Sequence, residues 1–160
     1  MVEYRQAKPT DLKALLPLVE AFARDQEAQL KVNTLSDRFM EFARGGVAQA
    51  LEHPAGCVMV AEEQQEERRT IIGYAVGMAQ EPPPAFETEM YTYITDLYVS
   101  PDFRRQGIGK ALVERIRGWG WVNGINRVSL VVPAGSPAQE LCTRLGFKPI
   151  QAMMYHCDQP

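Results

Sequence analysis

The sequence predicts an α/β domain on a mixed sheet, and three observations carry that prediction. Short β-branched and aromatic runs alternate with stretches of helical periodicity along the 160 residues. Three strand-like runs, around 57–61, 71–78 and 93–99, follow one another with only loops between them, so they can pair antiparallel. A helical stretch then separates the third run from another at 127–132, as a parallel crossover requires.

Taken in order, Val2 to Gln6 alternates enough for a first strand. Thr10 or Asp11 can cap a helix whose apolar positions Leu12, Leu15, Leu16, Val19 and Phe22 recur at i, i+3, i+4, i+7, with Pro17 expected to kink it. A second helix is expected from near Ser36, with Phe39, Ala43 and Val47 on one face and an interruption at Gly45-Gly46. A strand follows at 56–62, and the charged run 62–69 reads as a solvated hairpin turn. Gly73 and Gly77 inside the next strand suggest a bulge or close packing against a neighbour. Three consecutive prolines, 82–84, end that strand in an extended loop carrying Glu81, Glu87 and Glu89.

Residues 93–110 organise the chain. An apolar strand ending at Val99 is broken by Ser100-Pro101-Asp102, and Arg104-x-x-Gly107-x-Gly109 then opens a helix bearing Ile108, Ala111, Leu112 and Ile116. A helix start leaves backbone N–H groups without partners at the positive end of the helix dipole. Glycine lets backbone approach a phosphate closely, and Arg104, Arg105 and Lys110 add positive charge. The pattern reads as a pyrophosphate cradle. The helix should run to Trp119 or Val122 and stop at Gly124. After the strand at 127–132, Ser136 can cap a last helix with Pro137 at its first position, and Ala138, Leu141, Cys142 and Leu145 form its apolar stripe. Gly146-Phe147 starts a final strand.

The order of apolar strand, Val-x-Pro-x-x-Arg, Gly-x-Gly and helix resembles the acetyl-CoA-binding motif of the GCN5-related N-acetyltransferases, the GNAT family. The resemblance spans nearly all of the chain. It implies one domain over 1–160 with the acyl-CoA N-acyltransferase fold: a mixed sheet of six to seven strands flanked by about four helices. It further implies an N-acetyltransferase in which an amine attacks the thioester of acetyl-CoA directly. The co-substrate would be held by Leu97, Tyr98 and Val99 on the strand, by Arg104, Arg105, Gln106, Gly107, Ile108, Gly109 and Lys110 in the cradle, and by Ser136. Backbone N–H groups of Leu97 and Val99, where the family's strand is bulged and splayed from its neighbour, would polarise the carbonyl. The first two helices, with residues 26–37, would wall the acceptor site. Homodimers occur in the family, and residues 147–156 offer a place for pairing.

Proton handling departs from the family pattern. The usual asparagine and tyrosine are replaced by Gly135 and Cys142. Cys142 could protonate the leaving thiolate or could simply fill the core, and Tyr93, Tyr98 and Tyr155 are further donors. A strand carboxylate serving as base in other members falls where Tyr93 or Thr95 stands here; both are therefore candidates. Asp96 is adjacent, but strand alternation should turn it to the opposite face from Thr95. Glu81, Glu87 and Glu89 could make the acceptor mouth acidic and favour a cationic amine.

Other classes fit less well. Residue 104 is not glycine and residue 111 is not Ser or Thr, so a P-loop fails, and Leu112 stands where a dinucleotide fingerprint needs a small residue. A net charge of −3 argues against a nucleic-acid binder. No apolar run suits a membrane span or signal segment, and three scattered cysteines form no disulfide framework. A cytoplasmic protein without a metal is expected, acting on a small-molecule or peptide amine. The rival function is a non-catalytic acyl-CoA sensor on the same fold.

Overall fold

The β-branched runs pair into one five-stranded sheet in sequence order. The structure, a computed structural model, describes residues 1–31, 34–85, 87, 89–151 and 154. Strands β1 (Val2–Gln6), β2 (Gly56–Gln65), β3 (Arg68–Gln80) and β4 (Tyr91–Val99) are antiparallel neighbours, and β5 (Arg127–Leu130) joins β4 in parallel. Helices α1 (Leu12–Leu30) and α2 (Phe39–Glu52) precede β2, α3 (Ile108–Val122) makes the crossover between β4 and β5, and α4 (Pro137–Arg144) follows.

Strand alternation divides the core into two layers. On one face, Leu15 and Val19 of α1 and Val47 of α2 pack on Val58, Val60, Tyr74 and Val76. On the other, Ile108, Leu112, Val113 and Ile116 of α3 pack on Cys57, Ala61, Ala75 and Ile94. Gly77 permits that second contact, since a Cβ there would lie 2.9 Å from Ile116 Cγ2. Gly73 adjoins a bulge at Ile72, where Ala61 pairs with Gly73 but Glu62 pairs with Ile71.

Several expectations need correction. The sheet has five strands among the described residues, not six or seven. Residues 147–151 join no ladder; Pro149 lacks an N–H to donate and restricts the residue before it. The rest of the expected last strand, and Tyr155, lie outside the described residues. Helix α2 runs straight through Gly45-Gly46. Each glycine costs only about 1 kcal/mol relative to alanine, and the docked face of Val47 and Ala50 outweighs it. Helix α1 spans Pro17 as expected, and the carbonyl its ring leaves without an N–H partner belongs to exposed Lys13. The hairpin turn narrows to Glu66-Glu67, and Glu62 is not solvated. It is buried on β2 and paired at 2.6 Å with Arg5, which also grips Asp11 at 2.7 Å. Asp11, held low by Arg5, also accepts the Lys8 N–H and so fastens the turn before α1.

The start of β2 is tightly constrained. A Cβ on Gly56 would stand 2.5 Å from the Ala50 carbonyl oxygen and 2.8 Å from its Cα, with only backbone to yield. Gly56→Ala should therefore lower stability by about 3 kcal/mol, whereas Gly118→Ala, on an exposed α3 face with open space around it, should raise it by about 0.5–1 kcal/mol. Urea unfolding of the two variants checks the contrast.

Candidate active site

The site is built around a defect in β4. Val76 pairs with Asp96 but Gly77 pairs with Ile94, leaving Thr95 as an extra residue. Pairing with β5 covers only Tyr91 to Ile94 and ends at the same point. From Thr95 onward, β4 keeps β3 on one edge and has no strand on the other. Beyond Leu130, Val131 and Val132 accordingly leave the ladder that the sequence predicted for them.

The open edge can be assigned to particular residues. The Ser100 N–H donates to the Ile72 carbonyl at 2.8 Å, so the backbone of Ser100 faces β3. The Val99 carbonyl instead accepts the Arg104 Nε–H at 2.8 Å, away from β3. In an antiparallel pair a residue's N–H and C=O share one edge, and edges alternate along the strand. The backbone N–H groups of Leu97 and Val99 therefore both point to the open side. Their side chains join the α3 layer, while Tyr98 turns the other way and packs against Phe22 and Tyr74.

After β4 a short turn, Pro101–Phe103, leads into the glycine loop. Arg105 and Gly107 adopt left-handed backbone, φ 65° and 83°. Six consecutive N–H groups, from Arg105 to Lys110, find no acceptor among the described residues, and they converge on the N-terminus of α3. The two glycines have different tasks. At Gly107 the positive φ is the requirement, for a Cβ would meet nothing within 4 Å; at Gly109 a Cβ would lie 3.1 Å from Leu141 Cδ2, so its absence lets α4 approach α3.

The charged side chains around this loop are engaged. Arg104 binds Asp25 of α1 at 2.7 Å and lies over the Tyr98 ring, 5.4 Å from its centre. Arg105 meets Glu140 at 3.5 Å and Lys110 meets Glu114 at 3.8 Å, all exposed. The Gln106 side chain donates to the Asp102 carbonyl. Ser136 Oγ accepts the Gln139 N–H at 3.2 Å, capping α4 as its sequence position predicts.

On the opposite face of β4 a cavity of about 680 Å³ lies between α1, α2 and the sheet. Thr95 and Asp96 both line it. The prediction that they face opposite sides fails because the bulge inserts one residue into the alternation. Asp96 Oδ2 accepts the Tyr74 hydroxyl at 3.2 Å. Burial pushes the Asp96 carboxyl above the ordinary carboxylate range, and the Tyr74 hydrogen bond opposes that rise. Burial also keeps the Tyr74 phenol protonated. Asp96 is the cavity residue that sequence reasoning set aside on strand alternation; Gly77 across the ladder was read as a possible bulge, but that bulge was not carried over to the phase of β4.

The remaining candidates sit apart. Tyr93 is half-buried beside β5 and does not line the cavity, and neither do Glu81, Glu87 or Glu89. Cys142 is buried on α4, and burial pushes its thiol up, making it a weaker acid. Among the described residues no three His, Cys, Asp or Glu side chains gather as a metal site would need, and no helix is long and apolar enough to cross a membrane.

Residues 15–147 match the family model described as the acetyltransferase (GNAT) family. The chain belongs to that family. Among solved structures, this GNAT chain is similar to a predicted acetyltransferase of Clostridium acetobutylicum with acetyl-CoA, at 21% identity and TM-score 0.76 over 98% of this chain and 96% of that one. It is similar to a GCN5-related N-acetyltransferase of Ralstonia eutropha, at 23% and 0.74 over 98% and 99%. It also resembles the aminoglycoside N-acetyltransferase AAC(6')-Iy in complex with the bisubstrate analogue CoA-S-monomethyl-acetylneamine, at 16% and 0.73 over 100% and 99%. These identities establish a shared fold. A search of curated proteins finds no match.

Proposed function

We propose that this GNAT protein is an N-acetyltransferase that moves the acetyl group of acetyl-CoA to a primary amine. The observation that carries the reading is the meeting of two sites at one bulge. Unpartnered N–H groups lie on the open edge of β4 and at the start of α3. A half-buried carboxylate, Asp96, lines the cavity on the other face.

The residues fit acetyl-CoA. The N–H groups from Arg105 to Lys110 suit a pyrophosphate, and the open backbone of Leu97 and Val99 suits an extended amide chain. Acetyl-CoA supplies a thioester carbonyl. The Leu97 and Val99 N–H groups are the donors available to stabilise negative charge on its oxygen. The amine must lose a proton before it can attack. Asp96, whose proton affinity burial raises, takes that proton directly or through one water. The C–N bond forms as the C–S bond breaks, and the departing thiolate is a good leaving group that solvent can protonate. Cys142 then needs no role beyond filling the α4 stripe. A sensor that only bound acyl-CoA would have no use for an ionisable group at Asp96, which disfavours the non-catalytic alternative.

The test is release of free thiol from acetyl-CoA when purified protein meets a panel of primary amines. Amine-dependent thiol with matching N-acetylated product is expected. Binding of acetyl-CoA without thiol from any amine would favour the sensor.

A further inference from the structure

The cavity over Asp96 says what kind of amine fits. Its walls are Val19 and Phe22 from α1, Phe39 and Val47 from α2, and Val76 and Met78 from β3. The remaining polar contributors, Thr34, Ser36, Gln49 and Thr95, are neutral. Among the described residues, Asp96 is the one ionisable side chain that lines the cavity. At about 680 Å³ the space suits a small molecule rather than a folded partner.

Charges near the rim are already neutralised. Arg24 lies 5.6 Å from the centre of the Phe39 ring and pairs with Glu20 at 2.8 Å. Arg38 lies 5.2 Å from the centre of the Phe42 ring and pairs with Glu41 at 2.9 Å. Glu27, in the adjoining hollow, accepts the Leu35 N–H at 2.8 Å. A ligand with several ammonium groups would find one carboxylate and then apolar walls flanked by arginines. An amino acid would bring a carboxylate into a cavity with no cation among its described lining residues and with a like charge at Asp96. Each mismatch strands a charge in an apolar site.

We infer that the acceptor is a primary monoamine with an apolar body, for which 2-phenylethylamine is the simplest probe. Its single ammonium rests at Asp96 and its body lies between Phe22, Phe39 and Val47. This rests on the acetyltransferase reading for the fate of the amine, but not for its binding. Gly46 contributes to the inference because it lines the cavity from α2, where a Cβ would meet nothing within 4 Å. The glycine pair that seemed a helix break leaves room for the ligand.

The experiment is calorimetric titration of 2-phenylethylamine, 2-phenylethanol, phenylalanine, spermidine and a peptide beginning with phenylalanine into the full-length protein. The amine should bind at least about tenfold more tightly than each of the others, the scale of one charge-assisted hydrogen bond. Gly46→Leu, which fills space without strain and improves helix propensity, should weaken amine binding about tenfold. Asp96→Asn should erase the preference for the amine over the alcohol. Equal or tighter binding of spermidine, phenylalanine or the peptide would overturn the inference, as would amine binding indifferent to Gly46→Leu. The two readings fail separately. Tight amine binding without thiol release refutes the acetyltransferase and keeps the cavity assignment; thiol release with spermidine but no binding of 2-phenylethylamine does the reverse.

Discussion

Gly107→Glu should abolish acetyl-CoA binding, with a loss of at least about a hundredfold in affinity measured by calorimetry. Two effects combine. At φ 83° a side chain costs about 1–3 kcal/mol, which loosens the geometry of the turn. The new carboxylate also sits at the positive end of α3, where it takes the place meant for a phosphate. Nothing lies within 4 Å of the position, so the protein should still fold, and its thermal transition should confirm that. Gly107→Ala, carrying the strain without the charge, should lose far less affinity. Wild-type binding that survives Gly107→Glu would place the co-substrate elsewhere.

Asp96→Asn should lower kcat about a hundredfold or more while leaving the dissociation constant for acetyl-CoA unchanged, because general base catalysis contributes at least about that factor. The same change should stabilise the protein at pH 8. Burial raises the carboxyl's proton affinity in the folded state. Below the unfolded-state value the group is neutral in both states and no cost arises. As pH rises past that value the unfolded chain ionises more readily than the native one. Stability then falls until pH passes the folded-state value. Above the unfolded-state value the wild type therefore bears a cost that asparagine lacks, and the gap in melting temperature should close as pH falls towards the carboxylate range. The acid limb of kcat/KM should lie above the ordinary aspartate value of about 3.9 for the same reason. A variant with undiminished kcat would place the base outside Asp96.

The shape of the glycine loop was legible in the sequence because backbone-permissive letters mark it. Gly107 reports a left-handed turn, Pro101 a strand end, and the Ile108, Leu112, Ile116 spacing a helix start. The elements of both layers were legible for a similar reason, since period and capping are local. Asp96 was not legible, because one inserted residue at Thr95 reverses the phase of everything after it, and a bulge has no obligatory letter. Gly45-Gly46 misled in the other direction. Local propensity argues for a break, but burial of Val47 and Ala50 on the sheet decides the matter, and that contact joins residues far apart in the chain. The predicted last strand from Phe147 did not weigh Pro149, which interrupts it two residues on.

The two layers meet only through the sheet, and β4 is the wall they share. In the proposed reaction the donor approaches along the open edge and α3, and the acceptor enters from the face under α1 and α2. Substitutions at Phe39, Ala43 or Gly46 can thus rewrite acceptor choice while the α3 loop stays as it is. Two functions placed on opposite faces of one strand can change independently. On the proposed reading, acceptor selectivity can drift, or be redesigned, one helix face at a time, with the donor side carried forward intact.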